Sequence, residues 1–359
     1  MREGVAGART RSGPFPRHAA RACPLARGLN ATVSRTWKLV LRIAVSLALL
    51  AVVLWKIPFD AFLSHLSDVD LVPMFASYLL IPIMGYIDAN RTKMMTDLQD
   101  MTLSVAAICR INFITSFYSL FLPGYLAGGV IRWHRIAQHD GKPAQALAIV
   151  LFGRVLSTLV SVAIGFGCWA LDEQARHVPV YGIALAVMFG TLLLAYWLLF
   201  AGKRASGMAH WLARQRWVPV VVASKMGKVL HAATRFDQLG PRRLGATVGL
   251  LAVHELIGIL SFYLLAVALH MGLSFVSIGW VRCYIALITM LPLTMMGIGV
   301  RDGSLIVLLK TYAISPALAV GYSTLLLGRT FILGLLGGLC ALWTLWRERA
   351  RHTTGDTRA

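Results

Sequence analysis

The chain has 359 residues, of which 57% are hydrophobic and only 14% charged, with a mean hydropathy of +0.69. A soluble core of this length could not bury that much apolar surface, so composition excludes an ordinary soluble protein and points to the bilayer as solvent. A formal net charge of +20 could suggest nucleic acid, but the basic residues gather in 2–38, 203–243 and 347–358, each beside an apolar stretch, which is the positive-inside pattern of a membrane protein.

In chain order, residues 1–36 read as a basic disordered arm with no assigned function: no acidic residue lies between Glu3 and Asp60, while arginines accumulate before the first apolar run. This arrangement predicts a cytoplasmic N-terminus. A crossing takes about 20 apolar residues, and the first membrane half, 37–202, supplies spans at 38–57, 71–90, 144–170 and 179–201. The loop 58–70 carries Asp60, Asp68 and Asp70 with no Lys or Arg and is expected outside. Both flanks of the next apolar segment are basic (Arg91, Lys93 and Arg110, then Arg132, Arg135 and Lys142). The segment should therefore enter and leave on one side, as a re-entrant hairpin over about 103–136. Residues 203–243 form a basic linker, read either as amphipathic helices on an anionic cytoplasmic leaflet or as a solvated connector. The second half, 244–346, has spans at 245–271 and 316–346 and a second broken segment over about 277–312, followed by a cytoplasmic tail, 347–359.

A doubled signature ties the halves together. Residues 122–132 read LPGYLAGGVIR and residues 291–301 read LPLTMMGIGVR, with Pro to Gly five apart and Pro to Arg nine apart in both. Each copy is followed by a Gly-Arg pair inside the next span, LFGR at 151–154 and LLGR at 326–329. Three spans separate the copies, so they face opposite sides of the membrane. The expected fold is thus an all-α polytopic protein of about six spans and two re-entrant hairpins in an inverted repeat, an architecture of secondary transporters. A turn inside the bilayer must have its backbone groups shielded. Pro123, Gly124, Gly128, Gly129, Pro292, Gly297 and Gly299 are the residues expected to form the two bends.

Arg154 and Arg329 fall near mid-bilayer, where an arginine costs about 2.5–3.5 kcal/mol. They must face protein or a wet cavity, with Glu255 and Asp302 as ion-pair partners or a ligand phosphate as the counter-ion. Arg132 and Arg301 close the two signatures. The expected substrate-binding set is therefore Arg132, Arg154, Arg301, Arg329, Glu255 and Asp302. No catalytic residue, metal site or cofactor is expected: the five cysteines are scattered singly, and His254-Glu255 has no second His at helical spacing.

These signatures resemble the flippase-like, lysylphosphatidylglycerol-synthase transmembrane-region family over roughly residues 38–346. The resemblance implies a membrane domain that moves a modified phospholipid between leaflets. The second signature conforms through Pro292, Gly297, Gly299 and Arg301, with Asp302 where a glutamate is usual. The first has Ala127-Gly128-Gly129 where the family's acid would precede the arginine, which leaves the substrate open. Nothing corresponds to the soluble aminoacyl-transferase domain of the two-domain relatives, so lipid aminoacylation is not expected of this chain. The expected function is an inner-membrane lipid flippase or transporter for an anionic or amino-modified lipid. A non-transporting scaffold that recruits a lipid-modifying enzyme through 203–243 is the rival. An intramembrane enzyme acting on a lipid phosphate is a weaker one, because Asp88, Glu255 and Asp302 are widely separated in sequence.

Overall fold

The computed structural model describes residues 69–120, 125–200, 220–290 and 300–355, all helices and turns. The basic arm and the expected span 38–57 lie outside the described residues, as do 201–219 of the linker. Five helices are long and apolar enough to cross a membrane: Leu71–Leu98, Pro143–Leu171, Pro179–Leu198, Pro241–Ala268 and Pro316–Thr344. The protein is an all-α, multi-pass integral membrane protein.

Helix α1 (Leu71–Leu98) starts where the Asp70 carboxylate accepts from the Val72 N–H at 3.1 Å. It runs beyond the expected end at 90 because Asp88 and Arg91, which break the apolar run in the sequence, pair with each other on the helix. It stops where Asp100 takes φ 54° and the Met101 N–H returns to the Thr96 carbonyl. Ser104 then caps α2 (Val105–Ser119). The same turn recurs after α8 (Pro241–Ala268): His270 takes φ 51°, the Met271 N–H returns to the Ala266 carbonyl, and Ser274 caps α9 (Phe275–Met290). Each unit then continues into a second arm, α3 (Tyr125–Asp140) or α10 (Val300–Leu309), a left-handed residue (Gly141 or Ala313), and a long span opened by proline, α4 (Pro143–Leu171) or α11 (Pro316–Gly355).

At 1.5 Å per residue, 15 or 16 residues reach roughly 22–24 Å, short of the ~30 Å hydrocarbon core. Taken singly, α2, α3 and α9, and still more the ten-residue α10, are therefore too short to cross; α2 packs against α3, and α9 against α10.

The two units are antiparallel and interlocked. Near one end of the α1–α8 pair the Asp70 N–H donates to the Ala268 carbonyl at 2.9 Å, and further in the hydroxyls of Ser77 and Ser261 meet at 2.9 Å. Each step forward on α1 is thus a step back on α8, as an inverted repeat requires of its equivalent helices. The hairpins are exchanged between units. Helix α2 packs along α11, where a Cβ on Gly337 would lie 2.0 Å from the Phe113 carbonyl oxygen and one on Gly334 2.1 Å from Leu120. Helix α9 packs along α4, with Gly165 against Cys283 and Gly279 against Cys168. Small residues allow the close approach that membrane helices use for association.

One core, around Trp280, Tyr322, Ile259 and Leu305, lies largely in the second unit, and another, around Phe152, Ile108, Ile136 and Ile149, in the first. After the one-turn helix α5 (Glu173–Arg176), helix α6 (Pro179–Phe200) lies at the periphery and exposes Val180, Ile183, Val187 and Leu194, a surface suited to lipid. Part of the linker, α7 (Val220–Thr234) and a 3-10 turn (Arg235–Gln238), packs onto the first core. Phe236 stacks on Phe152 at 4.1 Å, and the Gln99 amide donates to the Ala232 carbonyl at 2.9 Å.

Candidate functional site

Three polar knots lie within the apolar helices. The first gathers on Asp88 of α1. Its Oδ1 accepts from Arg91 Nη2 at 2.5 Å, and its Oδ2 from Arg132 Nη2 of α3 at 3.0 Å and Asn112 Nδ2 of α2 at 2.9 Å. Arg132 also donates to Thr92 Oγ1 at 2.6 Å, and Arg91 Nη1 to the Gly153 carbonyl of α4 at 3.2 Å. A Cβ at position 153 would stand 3.1 Å from Arg91 Nη1, so the glycine of the first Gly-Arg pair makes room for another helix's arginine. Four helices meet at one carboxylate shared by two guanidinium groups, which leaves an excess of one positive charge. Beside it, the buried side-chain oxygens of Asn112 and Thr115 have no hydrogen-bond partner among the described residues.

The second knot joins α8, α9, α4 and α11. Glu255 pairs with Arg282 of α9 and accepts from Ser161 of α4 at 2.7 Å. Gly258, one turn further along α8, lies flat beneath the Arg282 guanidinium, where a Cβ would fall 2.5 Å from Nη2. Arg329, at the middle of its span, donates from Nε to Ser261 Oγ at 3.1 Å and from Nη2 to Met84 Sδ at 3.2 Å. The Phe262 ring lies within cation–π range of both arginines, its centroid 5.4 Å from Arg282 Cζ and 5.7 Å from Arg329 Cζ. Among the described residues no carboxylate lies within 4.0 Å of Arg329; the intramembrane acids pair with Arg91, Arg132, Arg282 and Arg301 instead.

In the third knot Arg301 donates from Nε to Ser323 Oγ and from Nη2 to the Ser323 carbonyl, both at 3.1 Å, with Asp302 at 3.7 Å and itself bonded to the Ser323 hydroxyl. Arg301 is buried.

The six residues singled out from the sequence are therefore distributed over the knots. Arg132 sits in the first, Glu255 and Arg329 in the second, and Arg301 with Asp302 in the third. Arg154 is half-buried on α4, next to the Gly153 carbonyl that holds Arg91. Glu255 and Asp302, considered above as counter-ions for Arg154 and Arg329, pair in the structure with Arg282 and Arg301. Of the bend residues, Pro123, Gly124, Pro292, Gly297 and Gly299 lie outside the described residues. Gly128 is buried, and a Cβ there would meet Ser119 Oγ at 2.5 Å, so it lets α3 close on α2; Gly129 has only an ordinary contact with Val150. Sequence reasoning missed Arg91 and Asn112, and above all Arg282, although an arginine inside the apolar run 275–290 is as conspicuous as Arg154.

The profile of the family described as the lysylphosphatidylglycerol synthase TM region matches residues 39–338. The chain belongs to this family. No curated protein and no solved structure matches it. The part matched to the lysylphosphatidylglycerol synthase TM region takes in both hairpins and all three knots, and ends at Gly338, where α11 lies against Phe117 of α2. The acid missing before Arg132 in the first signature has a spatial substitute: Asp88 reaches the same arginine from α1.

Proposed function

We propose that this protein carries a lipid with an anionic or amino-modified head group between the leaflets of a bacterial inner membrane, as a transporter rather than an enzyme, with both termini in the cytoplasm. The observation that carries this reading is Arg329, a mid-span guanidinium that donates to a hydroxyl and a thioether. An arginine at that depth is costly unless it has a purpose or a partner, and a passing head group supplies an anion in bidentate reach. The interlocked, antiparallel hairpins support a mechanism of alternating access. The chain's own residues have three tasks: Arg329 and Ser261 hold the head group, Glu255 keeps Arg282 in place beside Phe262, and the knots on Asp88 and Ser323 anchor the hairpin arms while one unit rocks against the other. The lipid tails stay outside, along surfaces such as α6. Membership of the lysylphosphatidylglycerol synthase TM region supports a phospholipid as cargo.

The test is leaflet exchange in reconstituted vesicles. Arg329→Gln and Arg154→Gln should abolish exchange of a labelled phospholipid while the protein still folds; exchange at the wild-type rate in both variants overturns the proposal. The rival scaffold reading loses support from the docking of Val229, Ala232, Ala233, Phe236 and Leu239 into the first core, which occupies part of the segment expected to recruit a partner.

A further inference from the structure

We infer that the Arg329 position, with Arg282 at the same Phe262 ring, selects a phosphate-bearing head group of net negative charge and discriminates against one whose phosphate is offset by an amine. The inference rests on the reading of this interior as the head-group path, but it concerns equilibrium binding and is tested without transport.

The argument is a charge balance. Away from their ends the membrane helices carry Asp88, Glu255 and Asp302, while Asp97 and Asp140, at the ends of α1 and α3, pair with Lys93 and His139. Asp88 is divided between Arg91 and Arg132, Glu255 is engaged by Arg282, and Asp302 is engaged by Arg301 and Ser323. The apolar stretches 38–57, 121–124 and 291–299 contain no Asp or Glu. Asp88's knot and Arg329 each leave one positive charge in excess.

Arg329 also feels the like charge of Arg282, which makes its demand for an anion greater. It is half-buried, so part of its surface is accessible. Ser261, itself fully buried and hydrogen-bonded to Ser77, fixes the guanidinium through Nε. Nη2 is held only by the weak thioether acceptor of Met84. A phosphate oxygen is a far better acceptor for that edge. A phosphate monoester brings about −1.5 to −2 charges and a diester one; both neutralise the excess. A zwitterionic head group brings an ammonium into a site that already repels it.

The probes are phosphatidic acid, phosphatidylglycerol, phosphatidylethanolamine and inorganic phosphate, titrated against the full-length protein in detergent with native mass spectrometry as readout. Phosphatidic acid and phosphatidylglycerol should bind at least tenfold more tightly than phosphatidylethanolamine. Arg329→Gln should remove that preference, Arg329→Lys should retain most of it, and Arg176→Gln, at the exposed end of the short helix Glu173–Arg176, should leave it unchanged. Competition by inorganic phosphate assigns recognition to the phosphate itself; no competition assigns it to the lipid head group, and either supports the site. Equal or tighter binding of phosphatidylethanolamine overturns the inference, as does an intact preference in Arg329→Gln. If that variant fails to fold, the wild-type comparison of anionic with zwitterionic lipid decides alone. Preferential binding without leaflet exchange would overturn the transport proposal and leave this site; exchange without preference would do the reverse.

Discussion

A guanidinium in an apolar interior is tolerable only if its donors and its charge are met, and each buried arginine here solves this differently. Arg91 has a carboxylate and a backbone carbonyl exposed by Gly153; Arg132 has half a carboxylate and a threonine hydroxyl; Arg301 has a serine hydroxyl, its carbonyl and a neighbouring acid. Asp88 is the member of the first knot with most to lose. Asp88→Asn removes the one carboxylate from two guanidinium groups and should destabilise the folded protein by about 3 kcal/mol, in the range for breaking a buried ion pair from one side. Thermal unfolding in detergent measures it. A double variant that also carries Arg132→Gln should recover part of the loss, because fewer charges are then left unmatched.

Between elements, the long-range contacts are made by glycine and by loop carboxylates. Helix α2 approaches α11 so closely that Gly337→Ala would drive a methyl group into the Phe113 carbonyl. Backbone cannot yield as a side-chain tip does, so this change should cost about 1–3 kcal/mol in unfolding experiments. Gly321→Ala on the same helix, with nothing within 4 Å of the added carbon, should be neutral. At the loop after α4, Asp172 ties the units together: its Oδ2 accepts from Ser277 of α9 and from Tyr312, both at 2.6 Å, and its Oδ1 accepts from the Ala175 N–H. Burial by itself would raise its pKa, but the bonds from Ser277, Tyr312 and Ala175 outweigh it and hold the carboxyl below its ordinary value. A depressed folded-state pKa means the stabilisation is present above the unfolded value of about 3.9 and is lost as pH falls below it. Unfolding temperature should therefore drop on acidification from pH 5 towards pH 3 by more in the wild type than in Asp172→Asn.

For the whole molecule, the decisive relation is that α1 and α8, the first helices of the two units, run in opposite directions with Ser77 opposite Ser261. If each hairpin enters and leaves on one side, their far ends must open to opposite faces of the membrane. A cysteine introduced at Gln138, near the end of the first hairpin, and one at Lys310, near the end of the second, are both at exposed positions. In a background without the native cysteines, an impermeant thiol reagent should label them from opposite sides of intact vesicles. Labelling of both from one side would make the repeats parallel.

What the sequence determined by itself is what depends on local composition: membrane residence, the approximate places of the long apolar helices and the matched Pro, Gly and Arg spacing of the two signatures, because apolar length and backbone-breaking residues act within a turn or two of where they stand. It also placed arginines at mid-membrane. Which carboxylate or hydroxyl each arginine meets was settled only by the tertiary structure. Arg132 finds Asp88 44 residues away, Arg282 finds Glu255 27 away, and Arg329 finds Ser261 68 away, each on another helix. Such pairings depend on the rotation of each helix about its own axis and on which helices are neighbours. Composition leaves both undetermined in a helix that is apolar on most of its faces, and here the close glycine contacts and the exchange of hairpins between the units set them.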